Sequence, residues 1–178
     1  MAFSINEFKS QLVGGGARST LFQVQITNPI LGIADFKIPF MVKTAAIPES
    51  STGIIPVPYF GRIIKYGGDR TFGPWPVTII NDEDFAVRNA MEAWSNAINS
   101  HITNFRAAPF DYKAQAQVTQ YGKDGSVLRE YTFEGLFPTS ISTIDLSWQA
   151  QDQIEEFSVT FEYDLWRVSG GVTGNSTT

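Results

Sequence analysis

The chain has 178 residues, a net charge of −5 and 17% charged side chains, a charged share well below the ~25% of an average soluble domain. With no cysteine and one histidine, disulfides, thiolate metal sites, a Cys nucleophile and multi-histidine metal clusters are excluded. No apolar run approaches the ~18 residues that span a bilayer, and the N-terminus shows no charged head, apolar centre and small-residue cleavage site, so neither a membrane span nor a secretory leader is expected. The length fits one domain with a real core. Aromatic residues reach 13%, including 14 Phe, which points to a large core plus apolar contact patches. Residues 1–125 are close to neutral, whereas residues 126–178 set many acids against only Arg129 and Arg167. Gripping nucleic acid needs the opposite balance.

Residues 1–19 read as an arm. Ile5, Phe8 and Leu12 have a rough helical spacing that Gly14-Gly15-Gly16 interrupts. Such an arm is either disordered or ordered only on assembly. Leu21 to Asn28 alternates as a half-buried strand, and Phe36 to Val42 reads as a second. Glu49 to Gly53 is polar and turn-like. Ile54-Ile55-Pro56-Val57-Pro58-Tyr59-Phe60 is apolar with two prolines, so it reads as an edge strand or an extended loop. It either seeks a partner or folds onto its own core. Arg62 to Tyr66 resumes a strand, Gly67-Gly68 reads as a tight turn, and Trp75 to Ile80 is a strand. Val87, Ala90, Met91, Trp94, Ala97 and Ile98 then share one helical face, predicting a helix over 83–99. Asn81 or Asp82 can cap it, and Glu83 and Asp84 suit its positive end. Strands follow at Lys113–Tyr121, Val127–Phe137, Ile141–Trp148 and Ile154–Trp166, with a hairpin turn at 122–125. In the last strand Phe157, Val159, Phe161, Tyr163 and Leu165 oppose Glu156, Ser158, Thr160, Glu162 and Asp164. The chain is therefore expected to be mainly β, a barrel or two packed sheets with one flanking helix. It divides into an arm (1–19), one β domain (20–168) and a flexible tail (169–178).

The sequence offers little chemistry. The triple glycine is not followed by Lys-Ser/Thr and does not follow a strand, so it makes no phosphate loop. No Gly-x-Ser-x-Gly elbow occurs. His101 reads as a helix-end residue, and Asp82, Glu83 and Asp84 as a helix N-terminus rather than a metal site. Glu130, Glu134, Glu156 and Glu162 could face one another. A catalytic carboxylate pair, however, needs one acid in an apolar pocket, and these acids have Ser, Thr and further acids as same-face neighbours. No enzyme activity, catalytic residue, metal or cofactor is expected.

The stretch Tyr66-Gly67-Gly68-Asp69-Arg70-Thr71-Phe72, then Trp75 through Asn81-Asp82-Glu83, resembles the tail tube proteins of contractile-tailed phages. Leu21-Phe22-Gln23-Val24, Lys43-Thr44-Ala45-Ala46-Ile47-Pro48, Gly135-Leu136-Phe137-Pro138-Thr139, Asp145-Leu146-Ser147-Trp148 and the Glu155–Trp166 strand extend the match in order. The chain departs from the family at Asn28–Asp35 and after Arg167. The resemblance implies two packed sheets with a flanking helix. It also implies a structural subunit that forms stacked rings of six copies in the virion tail, assembled in the host cytoplasm, whose lumen conducts DNA. Implied partners are further copies of the chain, the tail sheath, baseplate and tail terminator proteins, and a tape measure protein or DNA held without specific binding. The inner tube of a phage-related injection device is the alternative.

Within that picture Ile54, Ile55, Val57, Tyr59 and Phe60 are expected at an axial contact between copies. Arg70 is expected either in an interface ion pair or paired locally with Asp69 or another nearby acid. An acidic lumen repels phosphate, so some of Glu130, Glu134, Glu156, Glu162 and Asp164 are expected to line it. The other reading of these acids is an outer solvated face.

Overall fold

The computed structural model describes residues 4–149 and 151–170. After an exposed helix α1 (Ile5–Gln11), the elements are β1 (Phe22–Ile26), α2 (Ile38–Met41), β2 (Val42–Ala45), β3 (Ser50–Tyr59), β4 (Arg62–Phe72), β5 (Trp75–Ile80) and α3 (Ala86–Ile98). They continue with α4 (Pro109–Tyr112), β6 (Ala114–Tyr121), β7 (Val127–Ile141), β8 (Glu156–Glu162) and β9 (Leu165–Ser169). The fold is mainly β, as the alternating segments require.

All neighbouring strands are antiparallel, in the order β1-β6-β7-β8-β5-β2, with β9 also on β7. The long strand β7 serves two layers. Residues 130–134 lie between β6 and β9, and residues 137–141 pair with β8. The first sheet is thus β1-β6-β7-β9 and the second β7-β8-β5-β2. Gly135 supplies the bend, with φ +71 at a break in the β6–β7 register, a position suited to glycine because it lacks Cβ.

The core lies between the two inner faces. Trp75 of the second sheet stacks on Phe133 of the first at 4.4 Å, and Phe133 meets Tyr163 edge-on at 4.9 Å. Phe157, Val159 and Phe161 are buried, each worth roughly 1.5–3 kcal/mol of transfer energy. The α3 stripe Val87, Ala90, Met91 and Trp94 is also buried. Trp94 packs against Phe161, and its indole N–H donates to the Tyr112 carbonyl at 2.8 Å.

Six local expectations need correction. Glu49 to Gly53 makes no turn, because Ser50, Ser51 and Thr52 already pair with Phe72, Thr71 and Arg70 in the β3–β4 ladder. Phe36–Val42 is mostly helical, because Pro39 sits at the start of α2 and only Val42 onward joins a ladder. Gly67-Gly68 makes no turn; β4 runs through it to Phe72, and the register shift opposite Thr52/Ile54 absorbs the irregularity. Helix α3 begins at Ala86, after a left-handed Phe85, and neither Asn81 nor Asp82 caps it. Asp84 accepts the Ala86 N–H instead, at 3.0 Å. The strand expected over Ile141–Trp148 stops at Ile141, because Leu146 and Trp148 have nothing to pack on and stay exposed. The last long strand breaks at Tyr163-Asp164 into β8 and β9.

The expected arm forms α1 with no buried residue, Ser4 accepting the Glu7 N–H. Of the expected tail, residues 171–178 lie outside the described residues.

Candidate functional site

The β3–β4 hairpin is exposed along almost its whole length. Among the described residues it pairs only with itself, and of its twenty-one strand residues only Gly68 and Phe72 are even half-buried. Directly paired residues share a face. One face therefore carries Ile55, Val57 and Tyr59 with Tyr66, Ile64 and Arg62; the other carries Ile54, Pro56 and Pro58 with Lys65 and Ile63. Both faces are apolar, and neither is covered. Phe60 and Gly61 form the two-residue tip at φ 43 and 74, leaving Phe60 89% exposed. A lone hairpin is marginal in water. This one is anchored only at its base, where Phe72 packs on Tyr163 and Trp166.

All five apolar residues singled out in the sequence lie on β3 or its tip. Their β4 partners Ile63, Ile64 and Tyr66, equally exposed, were not recognised as part of the same surface. The glycine at the second position of a two-residue loop between the apolar runs was the signal that joins them. Arg70 lies exposed on β4 and makes no ion pair among the described residues.

The five acids do not share a face. Glu130 and Glu134 point outward from the first sheet; Glu130 accepts from the Ser169 hydroxyl at 3.2 Å and Glu134 pairs with Arg167 at 2.8 Å. Glu156 and Glu162 lie on the outer face of the second sheet, alternating with buried Phe157, Val159 and Phe161. Glu156 holds Lys43 at 2.5 Å. Asp164 sits at the strand break with Lys113 at 2.7 Å. Their neighbours are polar. On the first sheet these are Gln23, Gln25, Gln117 and Thr132; on the second, Thr78 and Ser158. No carboxylate here sits in an apolar pocket. Among the described residues no group of three or more His, Asp or Glu side chains is placed to hold a metal.

The phage tail tube protein family model matches residues 16–169. The chain belongs to the phage tail tube protein family. Tail tube protein gp19 of Enterobacteria phage T4 is 36% identical over 157 residues, covering 86% of this chain and 92% of that protein. Among solved structures, the sheath/tube terminator of an extracellular contractile injection system superposes with a TM-score of 0.65 at 14% identity, over 87% of this chain and 97% of that one. The sheath-tube complex of such a system gives 0.60 at 16% identity, over 94% and 98%. At that identity these structures establish the fold alone. As a tail tube protein, the chain is a structural subunit of a contractile phage tail.

Proposed function

We propose that copies of this chain close into rings, with six the expected number, and that the rings stack into the tube of a virion tail assembled in the host cytoplasm. The carrying observation is the hairpin, apolar on both faces and, among the described residues, packed only at its base, on Tyr163 and Trp166. Among the described residues, strands β1, β2 and β9 also end their sheets with one unpaired edge each. Bare edges invite pairing with another chain, and a closed ring satisfies them while axial contacts build the stack. In this reading Ile54, Ile55, Val57, Tyr59, Phe60 and Arg70 lie between copies. Sheath surrounds the tube, baseplate and terminator close its ends, and the tape measure protein or DNA occupies the lumen. The subunit performs no catalysis. Relatedness to a phage tail protein at 36% identity favours DNA passage over the injection-device alternative.

The two outer faces point apart, so one acidic pair lines the channel and the other does not. Two variants, Glu130→Lys with Glu134→Lys and Glu156→Lys with Glu162→Lys, should both fold, because exposed pairs contribute only ~0–1 kcal/mol. DNA ejection from virions carrying them should fall for one pair and not the other. Unchanged ejection in both would refute the acidic lumen.

A further inference from the structure

Strand β5 separates two unlike projections. Its Trp75 end follows the β3–β4 hairpin through Gly73-Pro74. Its Ile80 end meets the loop joining β7 to β8: Ile80 pairs with Glu156, and Asn81 donates to Glu155 through its backbone at 2.8 Å and its side chain at 2.9 Å. Six residues at ~3.3 Å each place the hairpin base and the loop at opposite ends of the second sheet.

The two projections are also opposite in charge. The hairpin carries Arg62, Lys65 and Arg70 against Asp69. The loop carries Asp145, Asp152 and Glu155 with no cation. An open groove of about 780 Å³ runs along the loop, lined by Ile144, Asp145, Leu146, Asp152 and Ile154, with Lys43 at its edge. Lys43 is neutralised by Glu156. Leu146 and Ile154 are 80% and 69% exposed, and Asp145 and Asp152 make no ion pair among the described residues. The groove is thus acidic and mostly polar, with Thr143, Ser147 and Gln153 among its lining and Leu146 and Ile154 as its exposed apolar side chains; the hairpin is apolar and basic near its tip.

Building on the tube reading, we propose that the hairpin tip of one copy seats in this groove of the next copy, joining successive rings. Tyr59 and Phe60 lie against Leu146 and Ile154, and Arg62 and Lys65 face Asp145 and Asp152. A head-to-tail contact requires each chain to carry both halves at different places on its surface, and this chain does. Charge complementarity sets the register and disfavours hairpin-to-hairpin association.

The test uses the full chain with charges exchanged. One variant is Arg62→Glu with Lys65→Glu. The other is Asp145→Lys with Asp152→Asn, the amide chosen because Asp152 has φ +60, which Asn tolerates. Circular dichroism verifies that each folds. Electron microscopy of wild type should show tubes, either variant alone should lose them, and the chain carrying all four substitutions should regain them. Tubes from either variant alone, or a combined variant no better than its parents, overturn this contact while leaving the tube reading intact. A groove variant that assembles normally but fails to take up sheath assigns the groove to the sheath and overturns the proposal equally. Absence of tubes in wild type, both without and with baseplate, overturns the tube reading and this contact with it.

Discussion

Asp164 closes over Gly135: its backbone N–H donates to the Glu134 carbonyl at 3.0 Å, and its carboxylate fills the space a Cβ on Gly135 would need. The two residues sit where β7 and the β8–β9 pair bend from one sheet into the other. Gly135→Ala adds a methyl group both to a left-handed backbone, φ +71, and to an occupied space. The expected cost is about 1–3 kcal/mol, read by urea denaturation. Combining it with Asp164→Ala should recover part of that loss, since neighbouring residues couple. Strictly additive losses would mean that backbone strain alone is responsible.

Asn28 ties the end of β1 to the helix. Its side-chain amide donates to the Ala90 carbonyl at 3.0 Å, and its oxygen accepts from the Ile30 and Leu31 N–H groups at 2.9 and 3.1 Å. Because Asn28 is buried, Asn28→Ala leaves these backbone groups poorly satisfied. The expected loss is about 1–3 kcal/mol in chemical denaturation, and amide exchange should quicken around Ile30 and Leu31.

Tyr163 is buried, and its hydroxyl has no hydrogen-bond partner among the described residues. Burial raises its pKa above the usual phenol range, and the charges of Glu162 and Glu49 add to the rise. Tyr163→Phe keeps the ring against Phe133 and removes the unsatisfied oxygen. The variant should match wild type or gain up to about 1 kcal/mol in denaturation. A clear loss would show that the hydroxyl has a partner.

The acidic run before α3 works through Lys37, which pairs with Asp82 at 3.0 Å and with Asp84. The hydrogen bond from Lys37, then that from the Ala86 N–H, holds Asp84 below the ordinary carboxylate range; the hydrogen bonds to Asp84, then to Asp82, raise Lys37. A depressed carboxylate stabilises the fold above its unfolded pKa and loses that contribution as pH falls through the folded value. A raised lysine contributes fully below its unfolded pKa and loses the contribution as pH rises through the folded one. Lys37→Met should therefore lower Tm slightly at pH 7, with the gap to wild type closing toward pH 3 and again at strongly alkaline pH. A pH-independent gap would assign the effect to packing.

Period-two and helical patterns were legible where one face is buried: β1, β5, β6, β8 and α3 all follow from alternation or a 3.6-residue stripe. The core positions of Trp75 and Trp94, 1% and 0% exposed, fit that pattern. Legibility failed where apolar residues do not face the core. Leu146 and Trp148 alternate like a strand yet stand in solvent. Pro56 and Pro58 left residues 54–60 open between an edge strand and an extended loop, and the polar run 49–53 read as a turn, although in a two-stranded ribbon a proline can face the unpaired side and the strand starts at Ser50. The division of Glu130 and Glu134 from Glu156 and Glu162 between two sheets was unreadable because it depends on the bend at Gly135, a tertiary event that local alternation cannot encode. The exposed apolar surface was half legible: apolar residues 54–60 announced themselves, but their partners 63–66 needed the hairpin pairing.

The central claim is self-assembly, and electron microscopy of the purified protein across concentrations, with light scattering beside it, tests it most directly. The account predicts rings at low concentration and hollow tubes of uniform width as concentration rises. A folded, monodisperse monomer at every concentration, in the absence and in the presence of baseplate, would contradict it.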